Sequence, residues 1–179
     1  MQQQQAAYPS APALRRWLRA EQSLTARLRR HGPVQVQVLR QGHLPLRRAE
    51  QRDLQARSGY VREVILHLQG RPAVWARSAT TARAVQGPWK ALRGLGARPL
   101  AELLFAGAPL RRAPLQAARA PRQGALDRAI QRQWQHRAAA PQPAALPRWA
   151  RSSVFWRHGA ALRVMEVFAP WVAQLHPGA

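Results

Sequence analysis

The sequence predicts an α+β fold: a single antiparallel β-sheet of about six strands with helices packed on it. Three observations predict it. Residues 60–68 and 73–78 are apolar runs joined across Gln69-Gly70-Arg71-Pro72, which makes a hairpin. Residues 151–157 and 162–168 flank His158-Gly159 in the same way. Between and before these hairpins, apolar residues recur at helical spacing in short stretches. A length of 179 residues suits one domain with its own core.

The elements follow in order. Residues 1–12 are rich in Gln and Ala and are expected to form a disordered tail ahead of a domain over 13–175. Leu14, Trp17 and Leu18 then share one helical stripe, with arginines opposite. Ser23 is placed to cap a second short helix over 24–30, which Gly32 and Pro33 stop. Residues 34–39 alternate Val-Gln-Val-Gln-Val-Leu with period two and predict a strand. Residues 41–57 are polar and predict a loop with some helix. After the first hairpin, Trp89, Leu92 and Leu95 have helical spacing, and Pro99 opens a short helix through Phe105. Residues 109–116 are a further strand candidate.

Residues 119–148 change character to a basic Ala/Pro/Arg-rich stretch. They predict a surface excursion, with an exposed helix over 127–138 and a loop over 138–147. The second hairpin follows, and Pro170 ends its last strand.

Composition excludes several chemistries. The chain has no cysteine, hence no disulfide, thiol nucleophile or zinc knuckle. Its six histidines are scattered, and no phosphate-binding glycine loop or Gly-x-Ser-x-Gly elbow occurs. Neither a metal nor a nucleotide cofactor is expected. No apolar run approaches the roughly 18–20 residues that span a bilayer. The N-terminus lacks the pattern of a secretory signal, so a cytoplasmic protein is expected. The seven tryptophans are expected mostly in the core.

The net charge is +22, from 29 Lys and Arg against seven Asp and Glu. Lys90 is the one lysine. Such a field attracts anions and nucleic acid. The arginines are spread along the whole chain, however, and no nucleic-acid-binding signature gathers them. A solvated arginine-rich surface, steering of an anionic substrate and contact with an anionic membrane surface are all consistent with the charge.

Two charges break the strand pattern. Glu166 is in phase with Leu162, Val164 and Phe168, and Arg62 with Tyr60, Val64 and Leu66. A charge on an apolar face is costly unless paired or liganded. One reading is a buried salt bridge or an edge position open to water. The other is a pocket, in which arginine clamps a carboxylate and glutamate faces a hydroxyl or a moving proton.

Four segments in order resemble the bacterial chorismate pyruvate-lyases of ubiquinone biosynthesis. They are Trp17-Leu18 with Glu21-Gln22-Ser23-Leu24-Thr25; Val61-Arg62-Glu63-Val64 with Gly70-Arg71-Pro72 and Ala76-Arg77-Ser78; Leu95-Gly96 with Pro99-Leu100 and Leu103-Leu104-Phe105; and Arg151-Ser152-Ser153-Val154-Phe155 with Val164-Met165-Glu166-Val167-Phe168. The resemblance implies removal of the enolpyruvyl group of chorismate, giving 4-hydroxybenzoate and pyruvate. It implies no cofactor, and an enclosed site under two helical flaps on an antiparallel sheet. It assigns Arg62 to the ring carboxylate, Glu166 to the phenol end, and Leu24 and Leu100 to the flaps, where backbone N–H groups meet the ligand. Arg77 is expected at the enolpyruvyl carboxylate. The expected partners are chorismate and its product, with no obligatory nucleic acid, and the protein is expected to be a monomer. The chain departs from the family at Thr80-Thr81, where a proline is usual and a looser following segment is expected. Two other classes fit parts of the pattern: a non-catalytic anion-binding module of the same fold, and a basic nucleic-acid-binding protein.

Overall fold

The computed structural model describes residues 12–105, 110–120, 124–135 and 147–175. The expected tail and most of the loop over 138–147 lie outside the described residues. Among them, no helix is long and apolar enough to cross a membrane.

Among the described residues, seven strands form one antiparallel sheet: β1 (Val34–Pro45), β2 (Ser58–Leu68), β3 (Arg71–Thr80), β4 (Arg111–Arg112), β5 (Gln116–Arg119), β6 (Trp149–Arg157) and β7 (Ala160–Phe168). Their order is β1-β2-β3-β7-β6-β4, with β5 also on β6. Five α-helices accompany them among the described residues: α1 (Pro12–Arg19), α2 (Leu24–Arg29), α3 (Arg48–Leu54), α4 (Leu100–Leu104) and α5 (Ala125–Gln135).

Both predicted hairpins form, and both turn the same way. Gln69 and Gly70 have φ of 51° and 76°, and His158 and Gly159 have 48° and 76°. Two left-handed residues in succession match the twist of the flanking strands, and glycine takes the second place without strain.

Strand β1 runs six residues beyond the alternating stretch. Its register with β2 shifts between Val38 and Arg40. The bulge resets the side-chain phase, so the alternation stops while the strand continues. As an edge strand it tolerates the polar residues that follow.

Alternation assigns the two faces of the sheet. Arg62, Val64 and Leu66 of β2, Ala76 and Ser78 of β3, Val164 and Glu166 of β7, and Arg151, Ser153 and Phe155 of β6 are in register on one face. Glu63, Ile65, Trp75, Arg77 and Met165 share the other. The apolar stripe of α1 is buried as predicted, through Leu14, Trp17 and Leu18. Leu24 and Leu28 of α2 join the same core.

The helix expected to be exposed over 127–138 is α5, and it is not exposed. Ile130 and Trp134 are in the main core. Trp75 Nε1 donates to Gln133 Oε1 at 2.6 Å, which fixes α5 to the sheet. Low mean hydropathy concealed two large apolar residues four apart, which is enough for one buried stripe. Four of the seven tryptophans, Trp17, Trp75, Trp89 and Trp134, are fully buried.

The segment after Thr80-Thr81 is not loose. Thr80 Oγ1 donates to Ala161 O at 2.6 Å. Thr81 Oγ1 accepts from Ala84 N at 3.1 Å and so caps the next turn, as serine or threonine does before a helix.

Candidate active site

A pocket lies between the first sheet face and the starts of α2 and α4. Its floor includes Arg62, Val64, Ala76, Ser78, Val164 and Glu166. Leu24 and Thr25 of α2, and Leu100, Ala101 and Leu104 of α4, border it. Phe105, 55% exposed, stands at its edge.

Arg62 is 2% exposed. Its Nη2 donates to Gly96 O at 2.7 Å and Arg98 O at 3.0 Å, both in the loop before α4. Its Nε is buried with no partner. No carboxylate pairs with it among the described residues. Burial without a counter-ion pushes its pKa down, to about 10; the nearby Tyr60 offsets this only in part. The guanidinium is therefore fixed in direction by two carbonyls and lacks an anion.

Glu166 is held differently. Its Oε2 accepts from Arg151 Nε at 2.5 Å. Arg151 in turn donates from Nη1 to Trp17 O at 2.9 Å and Ala20 O at 2.6 Å, at the end of α1. The glutamate side chain retains 18% of its accessible surface, whereas Arg151 retains 2%. The pair is thus anchored through the arginine, and the carboxylate borders the pocket.

Leu24 and Leu100 are the first residues of α2 and α4. Ser23 caps α2 through its hydroxyl, which accepts from Ala26 N at 3.1 Å. Pro99 precedes α4 and provides no side-chain cap. First-turn N–H groups have no partner within a helix, so both starts present donors.

Arg77 borders the pocket through its place in β3, but its guanidinium is on the opposite face. Nε and Nη2 donate to the two oxygens of Glu50 at 2.6 and 2.8 Å, and Nη1 donates to Glu63 Oε1 at 2.6 Å. Arg77, Glu50 and Glu63 are all buried. Burial alone would lower the Arg77 pKa, but the two carboxylates outweigh it and raise the value. Arg77 was expected at a substrate carboxylate. Its register opposite Glu63 and Met165 sends it away from the pocket.

Sequence reasoning missed two arginines at the site. Arg151 was legible: counting back from the His158-Gly159 turn places it opposite Glu166. Arg112, on the two-residue strand β4, had no such signal. Its Nε donates to Ser153 Oγ at 3.3 Å, its Nη1 to Glu21 O, and its guanidinium lies 5.0 Å from the Phe155 ring centre. Among the described residues, no group of three or more His, Asp or Glu is arranged to hold a metal ion.

Known proteins resemble the chain along most of its length. The family model described as chorismate lyase matches residues 1–176. A probable chorismate pyruvate-lyase of Albidiferax ferrireducens is 43% identical over 166 residues, covering 88% of this chain and 83% of that protein. One from an Azoarcus species is 45% identical over 168 residues, covering 90% and 86%. Among solved structures, the ligand-binding domain of a putative GntR-family transcriptional regulator from Bordetella bronchiseptica has a TM-score of 0.49 at 13% identity, covering 78% of this chain and 86% of that one.

Proposed function

The chain belongs to the chorismate lyase family, and from that membership and the pocket we propose that it converts chorismate to 4-hydroxybenzoate and pyruvate. The observation that carries the site assignment is Arg62: a buried guanidinium on the pocket floor, aimed by two carbonyls and without a carboxylate partner. An incoming ring carboxylate completes it. The N–H groups at Leu24 and Leu100 reach the same ligand, and α2 and α4 act as flaps that exclude water.

Glu166 receives the ring hydroxyl. The Arg151 pairing occupies Oε2, so Oε1 is the oxygen that faces the substrate. With the carboxylate and the hydroxyl at opposite ends of the ring, the ring is held in one orientation. The ether C–O bond at the neighbouring ring carbon breaks, and the carbon bearing the hydroxyl loses its proton. The electrons of that C–H bond complete the aromatic ring. The proton finishes on the methylene carbon of the departing enolpyruvyl group, which becomes pyruvate. Atoms and electrons balance with no added reactant. Proton, two ring carbons, ether oxygen, enol carbon and methylene close a six-membered path, so direct transfer needs no protein base.

The reading includes a monomeric protein, which light scattering tests. The same reading gives a cytoplasmic enzyme that needs neither metal nor organic cofactor. Its large positive charge steers a dianionic substrate. Contact with anionic membranes is a separate use of that charge, and flotation with anionic vesicles tests it.

The experiment is to incubate purified protein with chorismate, without metal or cofactor, and quantify both products by chromatography. Equal amounts of 4-hydroxybenzoate and pyruvate above the spontaneous background, abolished in Arg62→Ala, support the reading. Tight 4-hydroxybenzoate binding without turnover would replace it with a binding module. Neither turnover nor binding would overturn it.

A further inference from the structure

Chorismate carries two carboxylates, and the site described so far holds only one. Among the described residues, four arginines border the pocket: Arg62, Arg77, Arg112 and Arg151. Arg62 takes the ring carboxylate in the proposed reading. Arg77 is bonded to Glu50 and Glu63 on the other face. Arg151 is bonded to Glu166 and to two backbone carbonyls. Arg112 remains, and among the described residues no carboxylate forms a salt bridge with it.

Its position agrees with the geometry of the substrate. In chorismate the ether oxygen is on the ring carbon next to the one that bears the hydroxyl. With the hydroxyl at Glu166, the enolpyruvyl arm must leave the ring beside Glu166. Arg112 is at that end. It bonds Ser153, which is one alternation along β6 from Arg151, and it lies over Phe155, the next residue on that face. Partial burial lowers its pKa, the charge of Arg151 lowers it further, and Glu166 and Glu21 offset this only in part. The bonds to Ser153 Oγ and Glu21 O take Nε and Nη1, leaving Nη2 for a ligand.

We infer that Arg112 binds the carboxylate of the enolpyruvyl arm, the role that Arg77 cannot fill. This rests on the lyase reading of the same pocket. The arrangement divides recognition in two. Arg62 reads a carboxylate that substrate and product share. Arg112 reads one that the aromatic product lacks. As the ether bond breaks, Arg112 also faces the charge that forms on the departing enolpyruvate.

The test compares substrate with product. Arg112→Met and Arg112→Lys are assayed for chorismate turnover and for 4-hydroxybenzoate affinity by calorimetry. Loss of a charge-assisted hydrogen bond raises KM for chorismate about 10- to 100-fold in Arg112→Met. The lysine variant recovers part of this, because it keeps the charge but not the fork. The 4-hydroxybenzoate Kd stays within about twofold in both, as for an independent site, and this also shows that the pocket is folded. An unchanged KM would overturn the inference. So would an equal loss of product affinity, which would make Arg112 a support for the pocket wall. Absence of turnover in the unmutated protein would instead remove the lyase reading and this inference with it.

Discussion

Arg62 and Arg77 lie on neighbouring strands, both almost fully buried, and their surroundings are opposite. Arg77 makes three short contacts to two carboxylates, two to Glu50 and one to Glu63, and a longer one to the Pro45 carbonyl. Arg62 meets two carbonyls and no carboxylate. Burial lowers the Arg77 pKa, but the carboxylates more than restore it; at Arg62 only Tyr60 offsets burial, and only in part. A buried charge that the fold neutralises belongs to the fold. A buried charge left open is costly to the free protein and is compensated only when an anion arrives. Burial and residue type are the same in both, so the counter-ion separates the two roles.

That difference predicts crossed effects. The largest is on activity. Arg62→Met should lower kcat/KM for chorismate by about 1.5 to 3.5 orders of magnitude, about 2–5 kcal/mol for loss of one partner in a buried charge pair. Its denaturation midpoint should not fall, because an uncompensated buried charge is removed. Steady-state kinetics and urea unfolding on the same sample check both halves.

Arg77→Met should reverse the pattern. It leaves Glu50 and Glu63 buried without their cation, and stability should fall by about 3–5 kcal/mol. The fraction that remains folded should keep its product affinity, since the guanidinium is on the other face. A variant that stays stable but loses affinity would move Arg77 into the site and erase the contrast.

The support beneath Arg77 extends to α5. Gln133 Nε2 donates to Glu63 Oε2 at 2.9 Å, and Trp134 is fully buried nearby in the core. Trp134→Ala should therefore cost about 3–5 kcal/mol in urea unfolding. The smallest effect should come from Arg29 and Glu102, which meet at 3.9 Å with about half of each side chain exposed. Glu102→Gln should change stability by less than about 1 kcal/mol.

The sequence made Arg62 and Glu166 conspicuous because strand phase is local: each interrupts an apolar run that any reader can count. Arg151 needed one more step, the register from a two-residue turn. Arg77 could not be placed so easily. Its face was countable, but its partner Glu50 is in a helix that the polar stretch over 41–57 only hinted at. The role of α5 was hidden for a similar reason. Its two buried side chains sit among Ala, Gln and Arg, and what they bury against is distant in the chain. Arg112 is set by tertiary contact alone, since a two-residue strand has no period.

The most direct test of the contrast is a calorimetric titration of 4-hydroxybenzoate into the wild-type protein and Arg62→Met, with folding verified by circular dichroism. The predicted result is tight binding to the wild type and a Kd weaker by at least about 30-fold in the variant, for loss of a buried charge-assisted contact. Equal affinity in two folded proteins would contradict it, and would mean that the open guanidinium is not the anchor of the ring carboxylate.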